Sequence, residues 1–312
     1  MLNRQVAPAF VKNSTFNLIA PEESTLSNGV RVFFISGGSQ DVLKIEFVFE
    51  AGKWFEQKNG IAYFTSQLLS KGTADKNSFE IAQLFDQYGA HLDISAGTDF
   101  VSVSLYALAK KLPPVFDILI EILSSPSFPD KELRQSQSVF IQNLKVNNEK
   151  TSYVASKLFR KNLFGKNHPY GREIEETDAQ ALTASDLRSH FDSAIRSAQV
   201  FVSGQINSEN KDRILQGLAR LRKGDTAESQ SHPVAAVPAN ERVEKKDSVQ
   251  ASIRVARRSV LRSHADYVSI LFVSHILGGY FGSRLMKNIR EEKGLTYGIS
   301  ASLHAMRHDS YL

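Results

Sequence analysis

Apolar and polar positions change period along the chain, and the changes mark the elements. Residues 30–35 and 42–50 alternate and are rich in β-formers, which predicts two strands, the first entered through the Asn28-Gly29 turn. Residues 1–26 ahead of them read as an extended arm. Within 60–73 the period lengthens. Ile61, Phe64, Leu68 and Leu69 fall at helical spacing, with Tyr63 and Gln67 one turn apart. Ser78, with Glu80 in the first turn, predicts a helix over 79–88 that Gly89 ends. Residues 91–96 and 100–108 read as strands paired around Gly97-Thr98-Asp99. Pro113-Pro114 opens a helix through Leu123, Pro126 and Pro129 break it, and Asp130 can cap a long helix to about Asn148. Helices over 153–163, 187–195 (behind a Thr183–Asp186 capping motif) and 208–221 follow, with a strand over 198–203 before the last.

Residues 223–247 are polar, charged and broken by Pro233 and Pro238, which predicts a linker. Beyond it lie a strand over 249–255, an apolar helix over 267–277 closed by Gly278-Gly279, an amphipathic helix over 283–293 closed by Gly294, and a strand over 297–303. That succession repeats residues 42–96, and QYGAHLDISAG corresponds to EKGLTYGISAS at the two ends. The expectation is an α+β protein of two related domains made by duplication, each a mostly antiparallel sheet packed with helices. The N-terminal domain spans 1–222, the linker 223–247 and the start of the C-terminal domain 248–312. The first copy runs on through four more helices and a strand, so the second domain is expected to be truncated.

Composition narrows the classes. Apolar residues make up 42% of 312, ample for packed cores. The net charge of +5, from 38 basic and 33 acidic residues, is spread in small clusters such as Arg254, Arg257, Arg258 and Arg262. No aromatic-interleaved basic motif accompanies it, so no nucleic-acid partner is expected. The absence of cysteine excludes disulfides, thiolate zinc sites and cysteine nucleophiles. No apolar run is long enough to span a bilayer, no signal peptide is evident, and the compartment, cytoplasmic or periplasmic, is left open.

The helix at 60–73 carries the first chemical clue. Two histidines one turn apart with a glutamate between them make a zinc peptidase helix. Here those places hold Tyr63, Ser66 and Gln67. The surrounding text, LSNGVRVFF, GIAYFTSQLLSKGT and above all LGGYFGSRLMKNIREEKGLTY, resembles the insulinase/pitrilysin zinc peptidases, a family that also contains the mitochondrial processing peptidase and respiratory-complex core proteins. The resemblance puts Tyr63 and Gln67 at the histidine ligands, Ser66 at the general base, Asn143 at the glutamate ligand and Ser136 at a supporting acid. Neutral amide and hydroxyl oxygens are poor zinc ligands beside imidazole and carboxylate, and without zinc and a carboxylate base no water is activated. The alternative for Tyr63, Ser66 and Gln67 is a polar helix face, partly buried.

In the second half the resemblance implies a functional pair, Arg290 and Tyr297, offered to substrate. A guanidinium is a permanent charge with several donors, and a phenol donates without charge, which suits them to a substrate carbonyl or a developing oxyanion. The alternative is that Arg290 complements a helix C-terminus and Tyr297 packs on a strand. His304 and His308 read as solvent-facing, and His168-Pro169-Tyr170-Gly171 as a rigid turn. Gly278, Gly279 and Gly282 are separated by bulky residues and follow a helix rather than a strand, which argues against a phosphate loop.

The function expected from the resemblance is a non-catalytic subunit of a heterodimeric zinc endopeptidase. It would hold no cofactor itself, close a chamber with a metal-bearing sister subunit, and supply Arg290 and Tyr297 to unfolded peptide at the partner's zinc. The alternatives are a homodimer, or a structural protein of the same fold with no part in turnover.

Overall fold

The computed structural model describes residues 17–196, 198–223, 230–234, 240–246 and 248–312. Most of the expected arm, 1–16, and the middle of the expected linker lie outside the described residues.

Six strands form one sheet: β1 Glu22–Thr25, β2 Arg31–Ser36, β3 Val42–Phe49, β4 His91–Ala96, β5 Val101–Leu108 and β6 Ala198–Gly204, in the order β1-β2-β6-β3-β5-β4. Only β2 and β6 pair parallel; the other neighbours are antiparallel. The late strand β6 therefore enters between two early ones and ties the ends of the first half together. Alternation sets the two faces. Val32, Phe34, Leu43, Ile45, Phe47, Val103, Leu105, Val200 and Val202 are buried, whereas Arg31, Phe33, Lys44, Glu46, Gln199 and Phe201 are partly or fully exposed.

The buried face is covered by α1 Ile61–Leu68, α3 Leu112–Ser124, α7 Ala184–Ala194 and α8 Ser208–Leu218, with α2 Ser78–Gln87 beside α3. The longer α4 Asp130–Asn148 and α5 Thr151–Phe164 pack outside them, and α6 Glu176–Ala181 rests on α4. Helix α3 is the most apolar of the set; Leu112, Val115, Phe116, Leu119 and Ile122 are wholly buried. Gly217 of α8 lets that helix lie against Phe116, since an added Cβ would stand 2.5 Å from its ring.

In the second half, α9 Tyr267–Gly278 is followed by a helical segment, Met286–Glu292, and a small hairpin of β7 His304–Ala305 and β8 Ser310–Tyr311. Arg257 exchanges both backbone hydrogen bonds with Leu312, and Ser259 N–H donates to the Ser310 carbonyl, so residues 257–259 make a third edge to the hairpin.

Several expectations need correction. Residues 249–255 and 297–303 are not strands. The first ladder contact comes later, at 257–259, and Val249, Ile253 and Val255 are exposed, so their alternation meets no surface to bury. In the first half β6 supplies the central partner for β2 and β3; the described second half places no strand in that role. The helix expected over 283–293 is wide at its end, where Lys293 N–H donates to the carbonyl of Asn288, five residues back, at 3.2 Å. Asn77, not Ser78, caps α2, accepting from the N–H groups of Phe79 and Glu80 while Glu80 reaches back to Asn77 N–H. The short α6 was missed because its run, ETDAQA, has no apolar period.

Candidate functional site

Helix α1 begins at Gly60, whose φ of 87° is the left-handed conformation that glycine reaches without strain. Glycine has no side chain to cap the helix, and Glu56 does so instead, accepting the Ala62 N–H at 3.0 Å. The helix then lies against α7, β4 and α4.

The four expected metal and base positions fall on α1 and α4. Tyr63 is half-buried, with its ring 5.3 Å from Phe140 of α4 and 5.1 Å from Phe64. Burial raises its phenol pKa, so the oxygen stays protonated at neutral pH. Ser66 is buried and spends its hydroxyl on the Tyr63 carbonyl at 2.8 Å. Gln67 on α1 and Asn143 on α4 are exposed, and Ser136 is partly exposed. Apart from the Ser66 bond, no hydrogen bond joins these side chains. The set does not fit zinc: one oxygen is a protonated phenol, one hydroxyl is turned into its own helix, and the two amides are neutral. Among the described residues no group of three histidine, aspartate or glutamate side chains is placed to hold a metal ion.

Arg290 and Tyr297 lie on the other half. The Arg290 guanidinium stacks 4.6 Å over the Phe281 ring and forms no ion pair with a described residue. It sits in the last turn of its helical segment, where a cation also complements the helix dipole. Tyr297 is 90% exposed, so it does not pack on a strand as the alternative held. A Thr296 side chain bonded to the backbone of Gly298 shapes the turn that presents it.

Sequence reasoning missed a second cluster. Trp54, just ahead of α1, is surrounded by His168, Tyr170, His232 and His308. Tyr170 donates its hydroxyl hydrogen to buried Asp99 at 2.6 Å. The His-Pro-Tyr-Gly segment is a turn, with Gly171 N–H donating to the His168 carbonyl at 2.9 Å, and it is also a packing centre. Of the two histidines read as solvent-facing, His304 is exposed, whereas His308 stacks on Trp54 and its Nε2 is inaccessible to solvent. The signal available was the single tryptophan of the chain. A surface cleft of about 440 Å³ lies between Asn59, Lys157 and Arg172 and includes neither candidate set.

Comparison with known proteins decides the lineage. The family model described as insulinase (peptidase family M16) matches residues 31–178, and that of the peptidase M16 inactive domain matches residues 181–312. The chain belongs to the insulinase family. An insulinase-family relative described as an uncharacterized zinc protease, YmxG of Bacillus subtilis, is 24% identical over 293 residues, covering 92% of this chain and 70% of that protein. A relative from Helicobacter pylori described as a non-peptidase homolog is also 24% identical, over 82% of this chain, which spans 60% of that relative's length. The solved structure of a peptidase M16 inactive domain from Pseudomonas fluorescens superposes with a TM-score of 0.79 at 23% identity, covering 93% of this chain and 72% of that one. The insulinase-family fold of two related domains, mixed in helix and sheet, is thereby shown. Among the described residues, no helix is long and apolar enough to cross a membrane.

Proposed function

We propose that this insulinase-family chain is the non-catalytic subunit of a heterodimeric zinc endopeptidase. Its partner carries the zinc, and this chain closes the substrate chamber and presents Arg290 and Tyr297 to the peptide. The observation that carries the reading is the contrast between the two candidate sets. The positions that would hold metal carry no metal chemistry, while among the described residues Arg290 forms no ion pair, its guanidinium lying over Phe281, and Tyr297 keeps its phenol exposed. Tyr297 is too exposed to serve a core, and a large aromatic that packs little against the described residues is the kind of residue an assembly employs. Among the described residues β4 is one of the two edge strands, with β1 at the other end, and it lies beside α1, where an extended peptide would add a strand.

The chemistry assigned to this chain is binding and orientation. Arg290 would hold a substrate carbonyl as a multiple charged donor, and Tyr297 would donate to the oxygen on which charge develops. An enclosed chamber admits unfolded peptides and excludes folded proteins.

The test mixes the purified chain with its metal-bearing partner and follows cleavage of an unstructured fluorogenic peptide. Arg290→Ala and Tyr297→Phe are each expected to lower turnover by about 10²-fold or more, the usual loss on removing an oxyanion donor, with the complex still assembled. Unchanged turnover in both variants refutes the assignment. A second reading, a structural protein of the same fold, is favoured instead if the chain assembles tightly with a partner that has no peptidase activity.

A further inference from the structure

The cluster around Trp54 joins distant parts of the chain, and its chemistry is sensitive to protons. The indole stacks face to face on His308, with centroids 3.9 Å apart and planes within 16°. His232 meets it edge-on at 4.7 Å and places Nε2 3.0 Å from the Trp54 carbonyl. His168 packs on another side at 5.6 Å, and 6.2 Å from His232. Three imidazoles from three separate segments thus converge on one ring.

The same cluster is where the 304–311 hairpin is fastened to the first half. The Tyr170 hydroxyl, which donates to Asp99, accepts the His308 N–H at 3.1 Å; the second Asp99 oxygen accepts the Arg307 N–H at 3.0 Å. Arg307 also pairs with Glu50, and within the second half Arg258 holds Asp309 at 2.6 Å. Tyr311 packs edge-on against Phe159 and Phe164.

The groups packed around each imidazole decide how readily it takes a proton. The His168 Nδ1 accepts the Tyr170 N–H at 3.1 Å, so it carries no proton in this arrangement. The His308 Nε2 is buried and has no hydrogen-bond partner among the described residues, so a proton there finds no acceptor among them. Asp99 and Glu50 favour a charged His308, while Arg307 and His232 oppose it; a hydrogen bond to the His232 backbone and the charge of Asp309 favour a charged His168, while the His232 ring and Arg258 oppose it. Burial outweighs these and moves both imidazoles below the ordinary value of 6.5. One imidazolium on the Trp54 face gains some cation–π attraction. A second charge at this spacing is repelled by the first.

We propose that this cluster is a pH-sensitive clasp, in which neutral imidazoles hold the 304–311 hairpin to the first half and acidification releases it. The hairpin leaves as a unit because its ladder to residues 257–259 lies within the second half.

The test is hydrogen exchange of the full chain between pH 7.5 and 5, corrected for the intrinsic pH dependence. Protection of the Arg307 and His308 amides is expected to fall at least about tenfold further than that of the β3 and β5 amides, which follow only the acid loss of global stability that His190 brings. His308→Phe keeps the stack but cannot take a proton, and its loss of protection should be much smaller. The clasp is refuted if protection at 304–311 does not change, if it is lost in step with β3 and β5, or if His308→Phe loses it as the parent does. Should that variant not fold, NMR titration of the parent imidazoles decides: His168 and His308 both titrating below 6.5 supports the clasp, and either titrating at or above 6.5 overturns it.

Discussion

Arg172 meets Glu56 at 2.9 Å, and the Glu56 side chain is only 2% exposed. The same carboxylate caps α1 through Ala62, and the guanidinium also donates to the Lys53 carbonyl at 2.8 Å. One buried pair thus fixes the entry of the helix on which the family's chemistry would sit. Burial pushes the Glu56 carboxyl up and Arg172 opposes that, so removing the guanidinium strands a buried charge. Arg172→Met is expected to destabilise the chain by about 3–5 kcal/mol. Adding Glu56→Gln should recover part of the loss, because the stranded charge is then gone while an acceptor for Ala62 remains. Urea denaturation of the two single variants and the double variant checks this; strictly additive losses would show that the two residues act separately.

His190 predicts the response of the fold to acid. It lies buried on α7 with Nε2 donating to the Ala51 carbonyl at 3.3 Å, and burial drives its pKa down to about 4 from the ordinary 6.5. Above pH 6.5 the imidazole is neutral in both folded and unfolded chains, and its contribution is fully present. Between 6.5 and 4 only the unfolded chain binds the proton, so stability falls with pH, by about 3 kcal/mol in total. His190→Gln keeps a donor and does not titrate. The difference in unfolding free energy between parent and variant should change across that window and stay flat above it.

Much of the first half could be read from the chain because its signals are local. His91–Ala96 has the bounds its alternation predicts, and α4 runs over Asp130–Asn148 as expected, though Pro129 rather than Asp130 holds the cap position. The capping box of Thr183 and Asp186 is present as predicted. What could not be read depends on distant partners. Residues 249–255 carry a strand's pattern, yet a strand exists only where a neighbour completes the ladder. The Trp54–His308 stack joins residues whose separate contexts, a loop before a helix and a chain segment between two short strands, carry no mark of each other. That Tyr63, Ser66, Gln67 and Asn143 offer neither imidazole nor carboxylate was legible because side-chain identity is written in the sequence. That Ser66 turns its hydroxyl into its own helix was not, since the rotamer is settled by burial.

The α1–α4 frame makes a last prediction, which separates a lost site from a lost scaffold. Tyr63 touches Phe140, and Asn143 lies about one turn beyond Phe140 on the same helix, so the frame brings the two helices together where ligands would converge. If only the ligands were lost, restoring them should restore binding. Tyr63→His, Gln67→His and Asn143→Glu together supply two imidazoles and a carboxylate, a set that binds zinc with one position left open. The triple variant is expected to retain about one zinc per chain after dialysis, measured by elemental analysis, whereas Tyr63→His alone should retain none. Adding Ser66→Glu would supply the general base, but the hydroxyl it replaces is buried, so that change is expected to cost stability before it yields any chemistry. Failure of the triple variant to hold zinc while its denaturation midpoint stays near the parent's would mean that the backbones of α1 and α4 have drifted from ligand spacing, and that the scaffold has followed the ligands.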